Sequence, residues 1–226
     1  MRRVFAPRRH WVVLAVAELA VLVAVLAWIL WPAVLRATPG TVQATVLSPD
    51  EVGAAVGVTL RATTSSHEPP PPLEADSPAC AAAVGPATTT VYERGWSRFY
   101  SVTYQDSDEV AEHVVTQVLG AYPDREKAAE AFRALSTVDG CNDAERTAID
   151  ERTKAEIVSN WYYDVYSSTQ DRLIWIAYQD DGDIWACYRQ ARLMERMLLQ
   201  VAVCEAGDGA PATAAIADQL ARRVGE

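Results

Sequence analysis

Residues 157–167 read Ile-Val-Ser-Asn-Trp-Tyr-Tyr-Asp-Val-Tyr-Ser, and residues 172–179 read Arg-Leu-Ile-Trp-Ile-Ala-Tyr-Gln. In the first stretch a period of two sends Trp161, Tyr163 and Val165 to one side and Asn160, Tyr162, Asp164 and Tyr166 to the other. In the second, Leu173, Trp175 and Ala177 oppose Arg172, Ile174, Ile176 and Tyr178. That alternation, with β-branched and aromatic enrichment, is the mark of β-strands. Asp183 to Ala191 and Met197 to Cys204 continue the pattern across short connections, so the four segments predict an antiparallel meander.

Upstream, Thr88–Val91, Ser97–Tyr104 and His113–Tyr122 have strand character. Ser48-Pro49-Asp50-Glu51 supplies an N-cap serine, a proline at the first helical position and a glutamate at the capping-box position, and Gly57 is a suitable stop. Pro123 opens a second helix in which Ala128, Phe132 and Leu135 recur at helical spacing, ended by Gly140. Pro211 begins a third, with Ile216, Leu220 and Val224 inward. From Arg61 to Pro78 the chain is polar, and four consecutive prolines, Pro69 to Pro72, exclude helix and central strand. This segment reads as a stiff surface loop, with a ligand for a proline-reading module as the other use. The sum is an α+β domain, a mostly antiparallel sheet with helices packed on it.

Before this domain the charge and hydropathy change. Residues 1–10 carry four arginines, and Trp11 to Leu35 is an apolar run interrupted only by Glu18 and Pro32. At about 1.5 Å per residue its 25 residues reach ~37 Å, enough to cross a ~30 Å hydrocarbon core. The expected organisation is a cytoplasmic basic tail (1–10), a single transmembrane helix (11–35), a linker (36–46) and an extracytoplasmic domain (47–226). The arginines orient the amino terminus inward. A cleaved signal peptide is the competing reading, disfavoured by the length of the run and by the absence of a small-x-small triplet at its exit. Glu18 is costly in a bilayer, and it either contacts a partner helix or is carried by its apolar neighbours.

The whole chain has 20 basic and 30 acidic residues, a formal charge of −10 that argues against nucleic acid as a partner. A small molecule, glycan or peptide of the cell envelope is easier to accommodate. Cys80, Cys141, Cys187 and Cys204 all lie on the side expected to be oxidising, where two disulfides form. The midpoint between Cys187 and Cys204 falls near Glu195-Arg196, the turn of a hairpin, which pairs those two and leaves Cys80 with Cys141. Zinc is the alternative use, but there is no Cys-x-x-Cys pair and His67 and His113 have no cysteine at ligand spacing, so no metal or other cofactor is expected.

The order of these features is familiar. A Leu47-Ser-Pro-Asp-Glu-Val helix start, a first cysteine, Thr116-Gln117-Val118 running into Tyr122-Pro123, an alanine-rich helix to Cys141 and the close pair Cys187/Cys204 together resemble the extracellular sensor domain of mycobacterial PknH-type Ser/Thr kinases. The resemblance covers about Leu47 to Val224. It implies a mixed α/β fold with two disulfides and a ligand cleft, found on receptor kinases and on stand-alone anchored proteins of actinobacteria. Two lysines against 18 arginines suit a GC-rich genome. One departure is Val138, where such domains often carry a tryptophan three residues before the second cysteine. These 226 residues include no kinase domain.

Catalysis needs convergent groups, and the usual arrangements are missing: no Gly-x-Ser-x-Gly elbow, P-loop, dinucleotide glycine pattern or His-Glu-x-x-His helix. Asp180-Asp181-Gly182-Asp183 lacks the closing glutamate of a calcium loop and reads as a turn. The candidate binding residues are Tyr162, Asp164, Tyr166 and Tyr178, whose amphipathic rings and carboxylate suit a sugar or peptide. The competing reading covers that face with the terminal helix. A non-catalytic sensor-type domain is therefore expected, with an envelope interaction module and an unrecognised hydrolase as alternatives.

Overall fold

The computed structural model describes residues 42–93, 95–149, 154–179 and 185–225. The expected transmembrane helix with Glu18, and the turn at residues 180–183, lie outside these. No helix among the described residues is long and apolar enough to cross a membrane. Residues from Thr45 onward form one compact unit.

Its frame is a nine-stranded, wholly antiparallel sheet: β1 (Arg61–Ser66), β2 (Glu74–Asp76), β3 (Arg98–Gln105), β4 (His113–Ala121), β5 (Asp143–Ile149), β6 (Glu156–Ser168), β7 (Arg172–Gln179), β8 (Trp185–Met194) and β9 (Met197–Ala206). The strand order is β1-β3-β4-β9-β8-β7-β6-β5-β2. The last four strands form the expected meander, extended by β5, and β9 closes it against β4 at the centre. There β9 buries Leu198, Leu199, Val201, Val203 and Cys204, so both of its faces are covered.

Helices lie on both faces. On one, α4 (Ala210–Gly225) packs over β8 and β9 and α1 (Pro49–Val56) packs against α4, burying Val52, Ile216, Ala217 and Leu220. On the other, α2 (Ala81–Val84) and α3 (Arg125–Ser136) join Tyr92, Phe99, Trp161, Tyr163, Leu173, Trp175 and Leu198 in a continuous core. Within α3, Phe132 and Leu135 are fully buried, each worth about 1.5–3 kcal/mol of transfer free energy. Val138 is likewise sealed, so the position that departs from the resembled pattern is filled core.

The α1 cap forms as its sequence predicts. Ser48 Oγ accepts from the Glu51 amide at 3.4 Å, the Glu51 carboxylate accepts from the Ser48 amide at 2.8 Å, and Gly57 ends the helix at φ 88°. The buried Gln117 amide accepts from Leu47 N at 2.9 Å and donates to Leu47 O at 3.0 Å, imitating a strand partner, and the Tyr104 hydroxyl donates to the same carbonyl at 2.8 Å. Both disulfides pair as expected, Cys80 with Cys141 and Cys187 with Cys204, the second joining cross-strand partners of β8 and β9.

Three local expectations need correction. Thr88–Val91 is a turn because the Thr88 hydroxyl donates to Gly85 O at 2.7 Å and the Val91 and Tyr92 amides bond back to Thr88 O, which closes the backbone locally. The polar segment 61–78 is only partly loop. Its first six residues form edge strand β1, which is mostly exposed and so lacks an apolar signature. Residues Glu74–Asp76 form the opposite edge, β2, paired with β5, itself a polar strand that hydropathy does not reveal.

One geometric consequence positions the site. Between Ser66 on β1 and Glu74 on β2 there are eight Cα steps, at most about 28 Å of extended chain. Those strands sit at opposite edges of a nine-stranded sheet, roughly 38 Å apart if it were flat. The sheet therefore curls, and the proline segment spans it as a chord.

Candidate functional site

The hollow under that chord is a cavity of about 270 Å³, roofed by Pro70, Leu73 and residues 84–88 and floored by Thr116, Val118, Arg146, Arg189, Gln200, Ala202 and Cys204. The Thr89 amide donates to Pro70 O at 2.9 Å, which fastens the proline run over the opening. The Cys80–Cys141 bridge holds the segment that follows the run. The stiff surface loop of the sequence reading is thus a roof.

The chemistry of the floor comes from strand parity. Arg189 lies on β8 between Cys187 and Ala191, both buried on the same face, and Arg146 lies on β5 two residues from buried Ala144. Four buried side-chain nitrogen or oxygen atoms among the described residues lack a hydrogen-bond partner, and two of them are the Nε atoms of Arg146 and Arg189. The others are Trp175 Nε1, on the residue paired with Arg189 across β7 and β8, and the Tyr122 hydroxyl. The Arg146 guanidinium stands 6.0 Å from the Trp161 ring centroid, a cation–π contact that engages its face and not its Nε–H. Among the described residues no acidic side chain lines the cavity.

Burial draws Arg189 down to about 10; Tyr163 opposes this and Arg146 adds to it. Burial also pushes Tyr163 up to about 12 against the pull of Arg189 and then Arg146. At neutral pH the Arg189 guanidinium is charged and the Tyr163 phenol is neutral. Gln200 spends its amide N–H groups on Pro86 O at 2.8 Å and the Tyr92 hydroxyl at 2.9 Å, so it shapes the wall.

The residues chosen from sequence are placed elsewhere. Tyr162 and Tyr178 are cross-strand partners whose rings stack 5.6 Å apart, while Asp164 stands exposed on the open face of β6. Tyr166, 70% exposed, lies on the rim of a second cavity of about 450 Å³, which also involves Arg172, Ile174, Tyr188, Gln190 and Thr213. The terminal helix reaches β8, where Thr213 Oγ1 donates to Tyr188 O at 3.2 Å, without covering Tyr166. Sequence reasoning missed Arg146, Arg189 and Pro70. For Arg189 a signal existed, a charge at the inward parity of an otherwise small and apolar strand.

A third grouping sits at the β3–β4 hairpin, where His113 Nδ1 lies 2.8 Å from Asp106 Oδ2. The His113 bonds hold Asp106 below its ordinary value against the upward push of burial. This pair closes a turn.

The family model for PknH-like extracellular domains matches residues 37–223. The chain belongs to the PknH-like extracellular domain family. The crystal structure of the extracellular domain of PknH from Mycobacterium tuberculosis has the same fold, with a TM-score of 0.71 at 19% identity over 81% of this chain and 94% of that one. No curated protein matches the sequence. An extracellular family accords with two closed disulfides, and in this PknH-like domain Val138 fills the core three residues before Cys141.

Proposed function

We propose that this chain is a membrane-anchored, extracytoplasmic sensor-type domain that binds a small ligand in the proline-roofed cavity and performs no catalysis of its own. The observation that supports it is a roofed hollow whose roof and walls are tied down and whose two floor arginines each leave a buried Nε without a hydrogen-bond partner in the structure. Ligand pockets of this kind are largely apolar with a few convergent polar groups. At about 270 Å³ the space suits a compact metabolite or a terminal group of a larger envelope molecule. In this reading Trp11 to Leu35 spans the bilayer, and Glu18 engages a partner helix. Tyr162, Asp164, Tyr166 and Tyr178 form an accessory surface for the ligand's exposed portion or for a protein.

The test is thermal unfolding of the full-length chain against a panel of envelope glycans, peptides and small metabolites. A ligand selective for the folded form raises the midpoint in a concentration-dependent way. A flat response across the panel, or release of the chain from membranes by alkaline carbonate, removes the ligand-binding or the anchored part of the proposal respectively.

A second reading, an envelope interaction module, is favoured by one feature: Ile157, Val158 and Tyr166 leave 48%, 52% and 70% of their surfaces exposed along β6.

A further inference from the structure

The binding reading above can be made chemically specific. The acidic domain, with 15 basic and 29 acidic residues from Ala37 onward, turns two arginines and, among the described residues, no carboxylate into one cavity. Arg146 and Arg189 come from strands three ladders apart, β5 and β8, and line the same cavity. Bringing two like charges together at a partly dry surface opposes folding, and so does leaving their Nε–H groups without acceptors. Each cost is relieved by one anion placed between them. The planar guanidinium fork matches a carboxylate or a phosphate through paired N–H donors, which an ammonium or a neutral amide cannot reproduce.

Resting on the ligand-binding reading, we propose that the ligand presents an anionic group, a carboxylate or a phosphate ester, to Arg146 and Arg189, with its uncharged remainder lying under Pro70 and Leu73. The apolar roof and the commitment of the Gln200 N–H groups to Pro86 and Tyr92 leave the arginines as the cavity's free charged donors among the described residues.

The experiment uses the full-length chain and four probes that share one ring and differ in head group: benzoate, phenyl phosphate, benzamide and benzylammonium. Calorimetric titration is expected to show at least one anion binding about tenfold or more tightly than benzamide, and benzylammonium not binding. Arg146→Met and Arg189→Met each abolish that preference. In Arg189→Met the ligand-free melting midpoint rises because a strained charge is gone. If Arg189 were merely a structural residue, the midpoint would fall and the preference would remain.

Ala202→Leu, which keeps both guanidinium groups and fills the floor, serves as the variant independent of charge, and it too loses anion binding. Equal binding of benzamide and the anions overturns the anionic inference and leaves the ligand-binding reading standing. Absence of binding by all four probes overturns the anionic inference, while the wider panel decides the ligand-binding reading separately.

Discussion

Glu51 serves two partners. Its carboxylate accepts from the Ser48 amide, and it also pairs with Arg223 of α4, whose Nη1 donates to Val46 O at 2.9 Å, so one side chain joins the first helix to the last. Burial works to raise its pKa, but the Ser48 hydrogen bonds and Arg223 outweigh it and hold the carboxyl below its ordinary value. A group lowered in this way stabilises the fold above its unfolded value, and the contribution fades as pH falls through the folded one. In Glu51→Gln the capping box survives, so the deficit isolates the ion pair: about 0.5–1 kcal/mol at pH 7, small because the pair is partly solvated, and shrinking away as pH falls through the lowered folded value. Chemical denaturation of both proteins across that range measures it.

Gly120 makes a harder residue-scale prediction. A Cβ there would stand 2.6 Å from Tyr92 Cε1, in a core where Tyr92 is fully buried. Gly120→Ala should therefore cost about 1–3 kcal/mol, seen as a lower denaturation midpoint with an unchanged slope. The Ser48–Glu51 cap was legible in the sequence because it is local, three residues from end to end. The Gly120–Tyr92 contact was not, since nothing within 28 positions of either residue states that they meet.

At the scale of elements, legibility followed burial. The meander β6 to β9 announces itself by alternating large apolar residues, and α3 by the spacing of Ala128, Phe132 and Leu135. β1 and β2 stay silent because they lie at the edges, where hydrogen-bond ladders and not apolar faces define them, and β5, between β2 and β6, because its sequence is mostly polar. The disulfides follow the same logic. Cys187 and Cys204 are opposed because a two-residue turn at Glu195-Arg196 fixes their register, which a reader of the sequence can count.

The two bridges differ in what they close. Cys80–Cys141 spans 61 positions and Cys187–Cys204 spans 17. Loop entropy then assigns upper values of about 4 and 3 kcal/mol respectively. Paired Cys→Ser variants should lose stability in that order, read by denaturant midpoints. The Cys80/Cys141 variant should also weaken ligand-induced stabilisation, because it frees the chain that follows the roof.

At the scale of the whole described unit, the decisive quantity is the mismatch between the length of chain linking β1 to β2 and the flat width of the sheet. Neither number can be read before strand order is known, and strand order depends on the silent edges. That is why the sequence pointed to the aromatic outer face of β6 and β7 and away from the cavity, whose arginines are 43 positions apart. Replacing Pro69 to Pro72 by glycines keeps the length of the connection but removes its stiffness, since proline restricts the backbone and glycine frees it. Small-ligand stabilisation should fall several-fold, while bulkier congeners of the ligand gain affinity relative to the parent in the same titrations.

A bow keeps its bend because its string will not stretch. Four pyrrolidine rings hold the outermost strands at a set span, so the calibre of the hollow is stored in a stretch that contributes nothing to the ladder. A relative with a wider hollow has a short evolutionary path: it can edit the string and leave the limbs untouched.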